Sequence, residues 1–235
     1  MITSVTNERV KKIVKLRTAK GRKESGLFIV EGPHLVKEAK ECGVLVETYT
    51  MDENLEGELV SKDVMKKLCQ TDTPVPQIGI CKMLISNEIS DKVLILDQIQ
   101  DPGNLGTLLR SAKAFGFNSV FFATGTVDLY NDKVIRSSQG ALFKLNYHYG
   151  DKIDFIKKLS QTHTIYSTNV ENGRTPSQIE HEDKVALILG NEGNGVSEEI
   201  KNLGLNNLYI PMDNMESLNV GVAGSILMYE LNSNK

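Results

Sequence analysis

The chain opens on apolar positions at helical spacing, Val10, Ile13, Val14 and Leu16, which predict an amphipathic helix over residues 7–19. Gly21 and Gly26 then break the pattern ahead of the apolar run Leu27-Phe28-Ile29-Val30, a strand. Gly32-Pro33 opens a second helix reaching about Cys42, and residues 44–50, 61–68 and 78–84 follow as strand, helix and strand. The polar stretch 86–91 is the natural linker. Beyond it the alternation becomes regular. Strands are expected at 93–96, 120–123, 164–167, 185–189 and 208–210, and helices at 103–115, 132–139, 151–159, 197–203 and 218–231. Short continuous apolar strands alternating with amphipathic helices predict an α/β fold, a doubly wound parallel sheet with helices on both faces and a ligand site at the carboxyl ends of its strands. The linker, in a chain of 235 residues, predicts two domains, 1–87 and 92–235.

Composition narrows the class. With 40% hydrophobic and 24% charged residues, and no apolar run near the ~18 residues a membrane span needs, the chain does not read as a membrane protein. The start Met1-Ile2-Thr3-Ser4 lacks the layout of a secretion signal, and Cys42, Cys69 and Cys81 are odd in number and widely spaced, so a cytoplasmic location is expected. The four histidines, His34, His148, His163 and His181, stand apart from one another and from the cysteines, so no metal is expected. The net charge of -3 hides a basic N-terminus. There Arg9, Lys11, Lys12, Lys15, Arg17, Lys20, Arg22 and Lys23 face only Glu8 and Glu24, a patch suited to nucleic-acid phosphates or, more blandly, a solvated helix face.

Three loops after strands of the second half carry the candidate chemistry. In Asp101-Pro102-Gly103-Asn104 the Pro-Gly pair predicts a turn and Asn104 a helix cap, with Arg110 beside the apolar stripe of the helix that follows. Gly190-Asn191-Glu192-Gly193-Asn194-Gly195 allows close backbone approach to a ligand, before a helix that Ser197 is placed to cap. Its glycine order and late position do not match a dinucleotide fingerprint, which sets aside a Rossmann-type NAD enzyme. In the last loop, 210–220, Ser217 is the expected N-cap and Asn219 falls in the first helical turn, where an amide is a poor helix former and calls for another role. The small residues from Gly221 to Ser225 predict close packing of that helix.

Taken together these loops resemble the three motifs of the SpoU, or TrmH-type, family of RNA 2'-O-methyltransferases in the SPOUT superfamily. Asp101-Pro102-Gly103-Asn104-Leu105-Gly106 with Arg110 is similar to the first, Leu189-Gly190-Asn191-Glu192-Gly193 with Gly195 to the second, and Ile210-Pro211-Met212 with Glu216-Ser217-Leu218-Asn219-Val220 to the third. The segment Arg136-Ser137-Ser138-Gln139-Gly140-Ala141 also resembles the family, and Gly221 departs from it, a serine being commoner there. The N-terminal part, with Ser4, Asn7, Gly21-Arg22 and Phe28-Ile29-Val30-Glu31-Gly32, looks like the family's small α/β substrate-binding domain of ribosomal-protein L30e-like fold.

The resemblance implies a C-terminal trefoil knot, a homodimer with the site at its interface, S-adenosyl-L-methionine as cofactor and RNA as partner, ribosomal RNA before transfer RNA. It assigns Asn104, Arg110, Glu192, Ser217 and Asn219 to the reacting hydroxyl. Leu189, Gly190, Asn191, Gly195, Ile210, Met212 and Leu218 fall to the cofactor, and Arg9, Lys12, Arg22, Lys23 and Arg136 to the RNA. A non-catalytic RNA-binding or ribosome-assembly protein of the same fold is the alternative.

Overall fold

The computed structural model of the chain describes residues 1–86, 88–169, 173–179 and 182–233. His181, and residue 87 at the end of the first expected domain, lie outside the described residues. The chain runs α1 (Glu8–Lys15), α2 (Ala19–Ser25), β1 (Leu27–Glu31), α3 (Pro33–Glu41), β2 (Leu45–Thr50), β3 (Glu58–Leu59), α4 (Lys62–Leu68) and β4 (Gln77–Lys82). It continues with β5 (Lys92–Leu96), α5 (Pro102–Ala114), β6 (Ser119–Phe122), α6 (Asp132–Ser138), β7 (Asn146–Tyr149) and α7 (Lys152–Leu159). Last come β8 (Thr164–Thr168), β9 (Val185–Leu189), α8 (Glu198–Lys201), β10 (Asn206–Leu208) and α9 (Val220–Ser233). No described helix is long and apolar enough to cross a membrane.

Two compact units emerge. The first comprises Met1–Leu84 together with Asp128–Phe143, and the second Ile85–Val127 with Lys144–Lys235. In the first unit, β4 pairs antiparallel with β1 and β2, and β3 adds parallel to β2. Val10, Ile13, Met65 and Leu68 of α1 and α4 close one core with Tyr49 and Ile78 of the sheet. The expected break at Gly21 is instead the helix α2. Thr18 caps it by accepting the Gly21 amide, and a Cβ on Gly21 would stand 2.1 Å from the Lys15 carbonyl oxygen, so the glycine is there for close approach rather than for a turn. Gly26, at φ +68°, ends the helix. The segment Asp128–Phe143 joins this unit through the stacked rings of Tyr130 and Phe28, 4.6 Å apart, and an ion pair between Asp128 and Arg22.

In the second unit six described strands pair, all parallel, in the order β10-β8-β9-β5-β6-β7. Both faces are buried, which is why β5 and β9 read as unbroken apolar runs. Val93, Ile95, Ala186 and Ile188 pack under Ile156, Leu159 and Ile200 of α7 and α8. On the opposite face Leu189 meets α5 and α9, which themselves pack together: a Cβ on Gly224 would lie 2.5 Å from both Leu108 and Leu189 side-chain carbons. The close packing expected of 221–225 is present, with Ser225 and Ser111 hydroxyls 2.6 Å apart across the two helices. From β5 the chain crosses to β6 on one side, and from β9 to β10 on the other, so the gap between the carboxyl ends of β5 and β9 is the switch point of the sheet.

The Gly224 contact is testable. Gly224→Val is expected to destabilise the chain by about 1–3 kcal/mol through overpacking, measured by denaturant unfolding.

Candidate active site

Loops from β5 and β9 meet at the switch point, and the segment after β10 completes the site. After Leu96 the chain turns at Gln98, which holds φ +64°, a left-handed conformation costly for a side-chain-bearing residue and therefore stabilised by its surroundings. Helix α5 begins with Pro102 at its first position rather than with a Pro-Gly turn, and its cap is Asp101, whose carboxylate accepts the Asn104 amide at 2.8 Å. The capping role expected of Asn104 thus falls to Asp101. That releases the Asn104 side chain for other partners.

The glycine loop closes on itself. Asn191 and Gly195 exchange two backbone hydrogen bonds of 2.9 Å, and the Asn191 Oδ1 accepts the amides of Gly193 and Asn194. Asn191 Nδ2 donates to the Gln98 carbonyl at 2.9 Å, fastening the loop to the one before it. A Cβ on Gly190 would fall 2.1 Å from Gly195 and Val196 backbone atoms, so only glycine fits there. In the third loop the expectation is corrected. Helix α9 starts at Val220, and its cap is Asn219, whose Oδ1 accepts the Gly221 and Val222 amides at 2.9 and 3.2 Å; Ser217 lies two residues before the cap and exposed. The awkward amide of the sequence pattern is awkward only inside a helix; as a cap it is favoured.

One chain of hydrogen bonds joins all three loops. Because Asn219 Oδ1 is engaged by the helix amides, its Nδ2 must donate, and it does so to Asn104 Oδ1 at 2.9 Å. Asn104 Nδ2 in turn donates to Glu192 Oε1 at 3.1 Å. The Glu192 carboxylate also accepts the Asp101 and Gln100 amides, at 3.1 and 3.2 Å. Every amide orientation is therefore dictated from the α9 end, and the chain terminates on the Glu192 carboxyl as acceptor. Burial works to raise the Glu192 pKa, but hydrogen bonds from Asn104 and the Asp101 and Gln100 amides outweigh it and hold the carboxyl below its ordinary range.

Beside this chain opens a cleft of about 1100 Å³. All seven residues assigned by resemblance to a cofactor, Leu189, Gly190, Asn191, Gly195, Ile210, Met212 and Leu218, line it, as do Glu192, Ser217 and Asn219. Asn104 adjoins it through its hydrogen bonds. Arg110 is not brought there. It sits on the third turn of α5, not the first two, exposed and with no side-chain hydrogen bond or ion pair among the described residues.

The first unit holds the basic candidates, and they divide. Lys12 and Lys23 are exposed. Arg9 is clamped by Glu58 at 2.6 Å, Glu47 at 3.4 Å and the Tyr49 hydroxyl at 3.0 Å, and Arg136 pairs with Asp132 at 2.6 Å. Arg22 is a correction. It is 6% exposed, its guanidinium donating to the Leu16 and Arg17 carbonyls and pairing with Asp128, so it is turned into the unit rather than offered to RNA. A charge count along the chain cannot see this, because α2 places position 22 on its buried face. Among the described residues no group of three or more His, Cys, Asp or Glu is placed to hold a metal.

Residues missed from the sequence are Asp97, Lys152 and Ser197, which interact beneath the glycine loop. A charged residue directly after an apolar strand, and a lysine opening a helix, were the available signals.

A parallel α/β sheet with a glycine-lined cleft at its switch point defines a ligand-binding enzyme fold, and the comparisons with known proteins give its family. Residues 91–229 match the SpoU rRNA Methylase family and residues 7–79 the MRM3-like substrate binding domain. The chain belongs to the SpoU rRNA methylase family. It is similar to the 23S rRNA (guanosine(2553)-2'-O)-methyltransferase RlmP of Bacillus subtilis (strain 168), 36% identical over an alignment of 243 positions, gaps included, that covers 98% of this chain and 98% of that protein. Among solved structures, an rRNA methyltransferase from Sinorhizobium meliloti superposes with a TM-score of 0.87 at 26% identity, over 98% of this chain and 96% of that one. The AdoMet-bound rRNA methyltransferase of the same organism gives 0.85 at 25% identity, with coverage of 98% and 96%.

The depressed Glu192 pKa carries a pH dependence. A group held below its unfolded value contributes stability that is complete above the unfolded pKa and lost as pH falls through the folded one. Glu192→Gln is expected to lower the unfolding midpoint at neutral pH, by a modest amount for so solvent-screened a group, and to lose that difference in acid once the folded-state carboxyl is protonated, measured by scanning calorimetry across a pH series.

Proposed function

We propose that this chain transfers a methyl group from S-adenosylmethionine to the 2'-oxygen of a ribose in ribosomal RNA. The observation that carries the reading is the Glu192–Asn104–Asn219 hydrogen-bond chain, which ties the three family loops into one rigid rim beside a cleft. The cleft suits an adenosyl group. Leu189, Ile210, Met212 and Leu218 offer apolar surface to a flat base, backbone groups of three loops offer polar contacts, and Gly190 leaves no side chain in the way. Bound there, the cofactor supplies a methyl on an electrophilic sulfonium.

The protein's share is alignment and charge. A ribose hydroxyl is a very weak acid, so its proton leaves as the oxygen–carbon bond forms, and nearby groups must tolerate the developing negative charge. Glu192, its oxygens filled by four hydrogen-bond donors including its own amide, is suited to hold the rim and not to take that proton. In this reading the Arg110 guanidinium binds phosphate and stabilises the developing alkoxide. Ser217 and Asn219 face the ribose, and Lys12 and Lys23 contact RNA phosphates from the substrate-binding domain. The trefoil knot and a cytoplasmic location complete the reading.

Arg110 needs a second chain. It lies outside the cleft of its own chain, while the exposed apolar residues Val222, Ile226 and Tyr229 form one stripe along α9, the helix packed on α5. Pairing of this face in a homodimer would bring Arg110 to the partner's cleft.

Purified protein supplied with labelled S-adenosylmethionine is expected to methylate ribosomal RNA at one ribose, located by mapping 2'-O-methyl sites; binding of the cofactor with no transfer to any cellular RNA would overturn the catalytic reading. Arg110→Lys should lower the single-turnover rate by about 10²-fold, as loss of a placed donor does, and near-full activity would remove any specific guanidinium role. Ile226→Glu should convert dimer to monomer in sedimentation equilibrium and abolish transfer.

A further inference from the structure

Beneath the glycine loop lies an ion pair that the reaction as described does not use. Asp97, 1% exposed at the end of β5, accepts the Ser197 amide on Oδ2 at 2.8 Å and the Lys152 ammonium on Oδ1 at 3.2 Å. Lys152 also donates to the Ser197 hydroxyl at 2.9 Å and reaches Glu199 at 2.8 Å. Ser197 therefore has both its amide and its hydroxyl engaged from below, and its side chain accepts no amide of α8. The other foot of the loop is held by the same strand end, the Asp97 amide donating to the Leu189 carbonyl at 2.8 Å.

Two features separate this from a simple fold staple. Lys152 stands at the first position of α7, where the helix dipole disfavours a cation, so its placement requires a compensating partner. The pair is also largely desolvated, an arrangement that rarely stabilises more than apolar packing would but does fix geometry. What it fixes is the loop: the contacts of Asp97 and Lys152 converge on Ser197 and on the strand end leading into Gly190.

We propose that Asp97 and Lys152 are positioning residues for methyl transfer, holding both feet of the 190–197 loop in the one shape that receives the adenosyl group. They touch neither cofactor nor reacting atoms. The proposal rests on the functional reading above, in that the loop's ligand is S-adenosylmethionine.

The test uses the full chain as Lys152→Met, Lys152→Arg and the double variant Asp97→Leu/Lys152→Met, which leaves no buried uncompensated charge, only the exposed Glu199 carboxylate, and so decides the matter if Lys152→Met does not fold. Without cofactor, amides of 191–197 are expected to exchange hydrogen about tenfold faster or more in the folded Met variants, with those of β5 little changed. Calorimetry should show S-adenosylmethionine affinity falling about 10-fold or more, the range typical of supporting contacts, and Lys152→Arg recovering most of it. A folded double variant with unaltered loop exchange, or with unaltered affinity, overturns the proposal. Failure of the unaltered chain to bind S-adenosylmethionine overturns the functional reading instead, and loop exchange still reports whether the pair holds the loop.

Discussion

The parallel register of β5 against β9 is the constraint on which the site depends. Leu96 stands opposite Leu189, so both strands end at the same level, and their following loops leave in opposite directions around the sheet. A slip of the register by one residue would turn each side chain to the other face of a sheet buried on both, which packing forbids. The two loops therefore emerge within hydrogen-bonding reach of each other with no freedom to drift. From that proximity follow the Gln98–Asn191 bond, the Glu192 contacts to the 100–101 amides and the anchoring of Ser197 by Asp97.

The third loop is brought in by α9. Gly224 admits Leu108 and Leu189 so closely that α9 lies directly on α5 and on the end of β9, and its cap Asn219 comes to Asn104. Packing and polarity reinforce each other here. The free amides at the start of α9 orient one asparagine, that asparagine orients the next, and the second presents a donor to a carboxylate. A glycine in a helix, poor for helix propensity, is thus what lets a functional rim be held by hydrogen bonds instead of by loop stiffness.

Surface charge shows a different economy. Arg9 and Arg22 look alike in a basic run, yet one is clamped by two carboxylates and the other is buried against carbonyls and Asp128, a residue from the second half of the sequence. Lys12 and Lys23 remain exposed. In the second unit Arg110 is exposed on α5, and Val222, Ile226 and Tyr229 are exposed along α9.

From the sequence alone the parallel α/β class, the strands β5 and β9 and the three loops after strands were legible, because a doubly buried strand must be continuously apolar and a backbone-lined ligand site must be rich in Gly and Asn. The extra helix α2 was not, since Gly21 serves a close contact that no local pattern reveals, and β3 and β7 are too short and too polar to announce themselves. Cap assignments at Asn104 and Ser217 failed for a related reason: several residues near each helix start can cap, and which one does is set by where packing lets the first turn begin. Only tertiary structure decided that Asp101 and Asn219 cap, that Arg22 turns inward, and that Asp97 and Lys152, 55 positions apart, meet under the glycine loop. Local sequence dictates what a segment can form; which side chains are buried, paired or left free depends on neighbours that arrive from elsewhere in the chain.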